Sequence, residues 1–524
     1  MAGRITYNGI NIDFEREFND FSIKTEQRNA LSQAASGKES FLNFYNQDFI
    51  TASRRLLTGH EQNQLDKFYE YARDGSTFSF ERDRNLGTYI PFEGKSLDTN
   101  DGTAGTLTRT LSTDSAYYVD PLDGLLKVVN SADTGRFVEG KYGSGLMLQG
   151  AQTNLITHPS QFNNASWTQS IDISVTADTT ETKDPMGTNL ADILVSGGPV
   201  PQITFTTSAA VGTDDAAFGV LMKTNSGTHS VVLRITGTTG GSTEVTHVVD
   251  AVGTNADWTT TGGWGWYTID TANSGFSGNW EFEIELDGAN DVYAFGATGV
   301  AGAGMRFVGM PIGCLSTTSI TRNIENLTYP TTNIVNQTKG TVAFWFKPEF
   351  QKPDNPTVNL FWIDSDNVQV RILSAYILNS GTMEVRYYNQ DGSFAQIATF
   401  NSLWTINQNQ WHHFAFTYNN ENAIIFYLDG VLKDQQLSGF PLNVANVTGN
   451  LYIGRAGAFG VFDDFLIAKE VLTAGEINNI YNRGRGEGYR KNRYSSVRLA
   501  NPNNNPIYKN GNRYGLNLEM KEVL

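Results

Sequence analysis

The sequence is poor in cysteine. A single cysteine, Cys314, occurs among 524 residues, so internal disulfides are excluded and stability has to come from packing or from assembly. Its thiol is expected to behave as a small buried apolar group.

Positive charge is also scarce. Lysine and arginine total 38 against 54 aspartate and glutamate residues, and the formal net charge is −16. This balance argues against a protein that coats nucleic acid, because phosphate binding needs concentrated positive charge. One basic cluster is more typical of a solvated linker than of a docking surface for an acidic partner; it comprises Arg483, Arg485, Arg490, Lys491 and Arg493.

Long hydrophobic runs are missing. No stretch approaches the ~18 apolar residues of a membrane-spanning helix. The first residues carry charges at Arg4, Asp13 and Glu15 and lack the apolar core of a signal peptide. We therefore expect a protein that folds in the cytosol without membrane insertion. If it acts outside a cell, release by lysis within a virus particle is one route.

Glycine and short apolar runs are abundant. The chain has 52 glycines, and its hydrophobic residues, 39% of the total, lie between clusters of Gly, Asn, Asp, Ser and Thr. This pattern predicts a mainly β protein with few helices. The length suggests about three or four domains, each able to bury its own core.

Residues 340–484 carry the clearest strand pattern. Phe344 and Phe346 alternate with other residues, as do Phe414 and Phe416, so each strand buries one face. Two dipeptides predict two-residue hairpin turns with positive φ, Asp391-Gly392 and Asp429-Gly430. In order and spacing the block resembles a laminin-G-like, concanavalin A-like jelly roll, and that resemblance implies binding of glycans or proteins.

A second sandwich is predicted over 155–330. Trp280 to Asp287 alternate with period two, which directs Phe282, Ile284 and Leu286 inward and the carboxylates outward. The preceding residues 107–167 resemble a recurrent segment of phage virion and tail-fibre proteins, on motifs that include Tyr117-Tyr118-Val119-Asp120, Asp123-Gly124-Leu125-Leu126 and Thr153-Asn154-Leu155-Ile156. In that family a carbohydrate-binding-type jelly roll follows.

The two ends of the chain differ from the middle. Leu65, Phe68 and Ala72 lie on one face of a helix predicted over 60–73, after a strand hairpin at Asn8-Gly9. This order resembles the attachment domains of phage distal-tail and baseplate proteins. The last residues read as a hairpin around Asn510-Gly511, and short strands need a sheet to join. We expect them to return to the N-terminal sheet.

Three tryptophans are candidate sugar-stacking residues. Trp264 and Trp266 are two apart on a strand and share one face, and Trp404 lies near a loop. Core packing is the favoured alternative for each, because tryptophan is usually largely buried.

Aspartates suggest a calcium site. Asp364 and Asp366 fall in one Asp/Asn-rich stretch and Asp463 in another, and Ca²⁺ takes six to eight oxygen ligands. Turn formation by Asp and Asn explains the same residues without a metal and is favoured. No other cofactor is expected.

Catalytic patterns are weak. Glu281, Glu283 and Glu285 fit a solvated strand face better than a glycosidase pair. His412 and His413 are adjacent on a strand and point to opposite faces, so they cannot converge on one ion. We expect the protein to have no enzymatic activity.

Taken together, the chain is predicted to be a mainly β, multidomain virion protein of a bacteriophage tail, baseplate or fibre. It would have two antiparallel β-sandwich (jelly-roll) domains and a small α+β N-terminal attachment domain. The expected partners are other phage structural proteins and host-surface carbohydrate, in a homo-oligomer of three- or six-fold symmetry. A purely architectural virion subunit is the first alternative and a polysaccharide hydrolase the second. The predicted boundaries are 1–94 for attachment, 95–154 for a connecting β segment, 155–330 and 331–485 for the two sandwiches, and 486–524 for the returning strands.

Overall fold

Antiparallel sheets dominate the computed structural model, and the prediction of a mainly β protein with antiparallel sandwiches is confirmed. The residues described are 1–524 apart from 1–2, 9, 15–19, 34–38, 55–58, 75, 82–87, 91, 93–96, 98–104, 109–115, 130–134, 208–214, 272–276, 289–290, 303–306, 332–334, 337–338, 351–356, 365–370, 379–381, 389–393, 401–408, 420–423, 437–448, 455–457, 483–492, 500–506, 511–512 and 523–524. The chain divides into two units. Met1–Gly87, Ala468–Glu470 and Asn482–Leu524 form one, and Thr88–Ile467 with Val471–Tyr481 form the other.

The elements follow one another in this order. The N-terminal residues form β1 Gly3–Tyr7, β2 Ile10–Phe14, β3 Asp20–Gln33, β4 Glu39–Arg54, α1 Gly59–Ala72 and β5 Phe78–Glu81. The next stretch forms β6 Thr88–Ile90, β7 Thr106–Thr108, β8 Tyr117–Val119, β9 Leu126–Val128, β10 Arg136–Glu139, β11 Ser144–Leu148 and β12 Gln152–Asn154.

The middle of the chain forms β13 Trp167–Gln169, β14 Ile173–Thr176, β15 Asp192–Ser196, β16 Gln202–Thr206, β17 Asp215–Lys223, β18 Thr228–Thr239, β19 Gly241–Asp250, β20 Trp258–Thr259, β21 Gly265–Asp270, β22 Ser277–Leu286, β23 Asp291–Gly302 and β24 Ile320–Arg322. The remainder forms β25 Asn326–Pro330, β26 Lys339–Pro348, β27 Val358–Asp364, β28 Arg371–Ile377, β29 Met383–Tyr388, β30 Phe394–Phe400, β31 His412–Asn419, β32 Ile424–Leu428, β33 Val431–Gln436, β34 Asn450–Ile453, β35 Gly460–Ala468, α2 Ala474–Asn482, β36 Arg493–Leu499, β37 Ile507–Asn510 and β38 Arg513–Glu522.

The first unit is one sheet with a helix. Its strand order is β2-β1-β5-β36-β38-β4-β3, with β37 on β38, so the C-terminal strands lie between N-terminal ones. Helix α1 matches the predicted amphipathic helix, and it buries Leu65, Phe68 and Ala72. The Phe68 ring packs edge-on against Tyr7 and Phe78. Sheet pairing supplies the partners that short terminal strands need.

The first sandwich of the second unit encloses a core between two sheets. One has the order β13-β16-β22-β18-β19 and the other β14-β15-β23-β17-β21-β20. Phe282, Ile284 and Leu286 of β22 are buried in that core, as their alternation predicts. On the outer face Arg234 bonds to Glu244, Glu283 and Glu285, which supports the solvated-face interpretation of these carboxylates.

The second sandwich pairs an eight-stranded sheet with a seven-stranded one. The orders are β10-β11-β35-β26-β31-β32-β33, with β6 on β35, and β30-β29-β28-β27-β34-β25-β7. Phe344, Phe346, Phe414 and Phe416 lie in its core, as predicted. Asp429 and Gly430 have φ of 53° and 75°, which confirms the predicted hairpin turn. The turn predicted at Asp391-Gly392 falls outside the described residues.

Residues 95–154 do more than connect. Strands β7, β10 and β11 complete the sheets of the second sandwich, and β12 pairs with β24. Tyr117 and Leu126 pack in a cluster that also contains Trp266 of the first sandwich and Val461 of the second. The two sandwiches therefore share an apolar cluster to which this segment contributes.

Helix content is low in the part of the chain that is described. Neither α1 nor α2 is long and apolar enough to cross a membrane.

Candidate functional site

The outer face of the seven-stranded sheet carries a concentration of aromatic and polar side chains. Alternation along β27, β28 and β29 sends Ile363, Leu373 and Val385 into the core. Their neighbours along the strands therefore point outward. Those neighbours are Trp362, Ser374, Tyr376, Glu384 and Arg386.

One row of outward residues crosses six strands in register. It consists of Arg386, Ser374, Trp362, Tyr452, Thr328 and Thr106. Adjacent strands lie about 4.8 Å apart, so the row is about 24 Å long. That length suits an extended ligand of several sugar rings better than a single small molecule.

Arg386 and Glu384 are the charged pair of this face. The Arg386 Nε and Nη2 atoms lie 2.8 and 2.7 Å from Glu384 Oε2. The guanidinium also lies 4.4 Å from the centroid of the Tyr376 ring. Stacking and pairing hold the arginine against the sheet, and the two charges cancel.

Polar groups with unmet hydrogen-bonding capacity lie on the same face. Among the described residues, the Asn359 Oδ1 and Ser374 Oγ atoms are buried without a hydrogen-bond partner. Asn359 is opposite Tyr376 and Ser374 is opposite Trp362. These two atoms are among several buried polar atoms of the described residues that lack a partner within the protein. Trp362 and Tyr376 keep only 7% and 5% of their surface exposed.

The structure buries two of the three tryptophans selected from the sequence. Trp264 and Trp266 are 0% and 1% exposed, and their indole nitrogens donate to the Lys183 and Val308 carbonyls. Neither offers a free ring face to a sugar, which fits the favoured alternative of core packing. Trp404 falls outside the described residues, so its sugar-stacking role stays a prediction.

The aspartates selected for calcium do not come together. Asp364 lies at the end of β27 on the outer face of the seven-stranded sheet, whereas Asp463 lies in β35 of the opposite sheet. They cannot be ligands of one ion. The Asp463 carboxylate accepts the Tyr142 and Asp464 backbone N–H groups. Asp366 is outside the described residues, among which no group of three potential ligands could hold a metal ion.

The histidine pair is structural. His412 Nδ1 lies 3.0 Å from Asp429 Oδ2, and the His413 backbone N–H donates to Asp429 Oδ1. The His413 ring packs against Trp345 with centroids 5.1 Å apart. Burial lowers the pKa of His413 to about 4, so the imidazole is neutral at pH 7.

Two carboxylates share the aromatic face but are too far apart for glycoside hydrolysis. Asp364 is opposite Arg371 and Glu384 is opposite Tyr376, five residues along β28. At about 3.3 Å per residue this is roughly 17 Å, beyond the spacing of about 5 to 9.5 Å that glycosidase pairs use.

Comparisons with known proteins assign the fold of this region. Residues 323–478 match the family described as the concanavalin A-like lectin/glucanases superfamily, which is less than a third of the chain. No curated protein matches the sequence. The matched region includes β27, β28, β29 and β34, which carry most of the row.

Several solved structures are similar. The receptor-binding domain of the botulinum neurotoxin C/D mosaic serotype is 18% identical, with 30% of this chain and 40% of that chain covered and a TM-score of 0.26. The binding domain of Paraclostridial Mosquitocidal Protein 1 is 15% identical, with 32% and 46% covered and a TM-score of 0.25. The chain thus spans less than half the length of these structures, and the likeness carries no functional assignment.

Sequence reasoning missed the row because its members are dispersed between residues 106 and 452. A signal does exist, since β28 and β29 place hydroxyl, aromatic and charged residues at every second position, whereas a bulge interrupts this spacing in β27. Residues 323–478 have a concanavalin A-like lectin/glucanase fold.

Proposed function

We propose that the chain is a structural protein of a phage tail, baseplate or fibre that binds host-surface glycans through the outer face of its seven-stranded sheet. The observation that carries the proposal is the cross-sheet row that begins at Arg386 and passes Trp362 and Tyr452. Its accessible members are Arg386, Tyr452, Thr328 and Thr106. They combine an aromatic ring with hydroxyl and guanidinium groups, the mixture that orients a polar ligand over an apolar base, while Trp362 and Ser374 lie buried between them.

The ligand class follows from charge and length. Glu384 neutralises Arg386, and the Asp364 carboxylate lies on the same face, so this face has no excess of positive charge and favours a neutral glycan over an acidic one. The row of about 24 Å would contact several sugar units in line. Each contact adds little, so affinity at one site would be modest.

The virion role is supported by the resemblance of residues 107–167 to phage virion and tail-fibre proteins and of the N-terminal unit to attachment domains. Attachment to a symmetric ring or spike would present three or six copies together. Linked copies convert weak single contacts into tight overall binding. The protein would be made in the host cytoplasm and assembled into the particle, with other phage structural proteins as partners.

The test is binding of the full chain to host cells and to a panel of neutral and acidic glycans. Arg386→Ala should lower, at least tenfold, the affinity for the glycan that the wild-type chain binds. Arg234→Ala is the control, since both arginines are paired with glutamates on an outer sheet face and have side chains 22% and 23% exposed. Equal binding by both variants would reject the proposed face. Absence of binding by the wild-type chain, even when multimerised, would favour the architectural alternative.

A further inference from the structure

Strand β19 is an unprotected sheet edge. It has ten residues, pairs with β18 along its whole length, and ends the five-stranded sheet. Several other edges are blunted, because β13 and β14 have three and four residues and β33 contains Lys433 and Asp434. Short length, lysine and proline are the usual protections of an edge against pairing with another chain. Strand β19 is long and has no lysine or proline, and the charge of its Glu244 is compensated by Arg234 within the chain.

The backbone of β19 presents free hydrogen-bonding groups. The Ser230 carbonyl of β18 accepts a hydrogen bond from the Asp287 N–H, on the side of β18 away from β19. Backbone N–H and C=O groups alternate in direction along a strand, so those of the odd-numbered residues of β18 point toward β19. Their partners in β19 are Thr243, Val245 and His247. The backbone N–H and C=O groups of the even-numbered residues of β19 therefore point away from the sheet, and the Asn255 side chain donates a hydrogen bond to one of them, the Val248 carbonyl.

Three residues leave this edge open. The N–H and C=O groups of Ser242, Glu244 and Thr246 face outward, and no bond to another described residue occupies them. Two valines beside them are unusually exposed, Val245 at 40% and Val248 at 42%. The Glu244 carboxylate is 3.0 Å from Arg234 Nε, so its charge is compensated within the chain.

The sequence of β19 is compatible with its own copy. An antiparallel pair centred on Val245 places Val245 opposite Val245, Glu244 opposite Thr246 and Thr243 opposite His247. No like charges then face each other. A pair centred on Glu244 would set two carboxylates directly opposite, which is unfavourable. The Val245-centred register also makes Glu244 and Thr246 a hydrogen-bonded pair through their outward groups.

We propose that β19 pairs antiparallel with β19 of a second copy of this chain, with Val245 on the two-fold axis. The two five-stranded sheets become one ten-stranded sheet. A single strand pair buries less than the 1,200 to 2,000 Å² of a typical stable interface, so the contact is weak. The interface lies on the first sandwich and is independent of the glycan-binding proposal.

Disulfide trapping tests the register. The full chain with Val245→Cys should give a covalent dimer on mild oxidation. The two copies of residue 245 form a non-hydrogen-bonded antiparallel pair, whose Cα atoms lie about 4.5 Å apart, within disulfide range. Cys314 is buried and does not interfere. Val248→Cys is the matched control on the same strand, since its two copies would lie six residues apart, about 20 Å. Equal trapping of both variants would overturn the register.

A proline variant tests the pairing itself. Thr246→Pro removes an outward N–H and leaves the ladder to β18 intact, because proline is tolerated on an edge strand where its N–H would face solvent. The melting temperature should stay unchanged, while the dimer dissociation constant measured by analytical ultracentrifugation rises at least tenfold. An unchanged dissociation constant would overturn the proposal.

Discussion

Replacing Glu325 with glutamine should destabilise the second unit by about 3 kcal/mol or more. Arg136 is fully buried, and its guanidinium binds the Glu325 carboxylate, the Tyr117 carbonyl and the Gln149 side chain. Glu325 also accepts the Gln149 backbone N–H. Loss of one partner of a buried ion pair leaves an uncompensated charge, and such losses cost about 3 to 5 kcal/mol.

The assay is urea unfolding of the full chain, followed by tryptophan fluorescence. Glu244→Gln is the control, because Glu244 is an exposed partner of Arg234 and exposed pairs contribute at most about 1 kcal/mol. The double variant with Arg136→Met and Glu325→Leu should lose at least about 1 kcal/mol less than the sum of its single variants. Additive losses, or equal losses for Glu325→Gln and Glu244→Gln, would refute the reasoning.

Three further results are expected. His413→Phe should lessen the loss of stability between pH 6.5 and 4, because in that range the histidine takes up a proton in the unfolded chain but not in the folded one, where its pKa is about 4. The loss that His413 causes in the wild-type chain is at most about 3 kcal/mol, and urea unfolding at pH 7 and 4.5 measures it. Gly219→Ala should lower stability by about 1 to 3 kcal/mol, since an added Cβ would lie 2.4 Å from the Trp266 ring, whereas Gly227→Ala, with open space around it, should lose only backbone strain energy at its φ of 72°. Asp429→Ala should cost about 1 to 2 kcal/mol by removing the acceptor of the His413 N–H, and a thermal melt equal to wild type would contradict this.

Local patterns predicted the strands but not what covers them. Alternation assigned Phe344 and Phe282 to core faces, and the Asp429-Gly430 dipeptide defined a hairpin, because both signals lie within a few residues. Trp264 and Trp266 share an outer sheet face, yet they are buried by residues near 117–126 and 308–314. Strand period identifies a face and cannot indicate which distant segment packs on it.

The candidate site was hidden for the same reason. Its row joins Thr106 to Tyr452 through register, which no single stretch of sequence encodes. Residues 95–154 were predicted as a connecting β segment; their strands β7, β10 and β11 are only three to five residues long, too short for a strong strand pattern in the sequence. The distant partners of β7 and β11 are β25 and β35, some two to three hundred residues later in the chain.

Hydrogen–deuterium exchange of the full chain with its bound glycan tests the central claim most directly. The account predicts slower exchange on glycan addition in β27, β28, β29 and β34, with little change in the first sandwich. Protection confined to the first sandwich, with none in these four strands, would contradict binding at the outer face of the seven-stranded sheet.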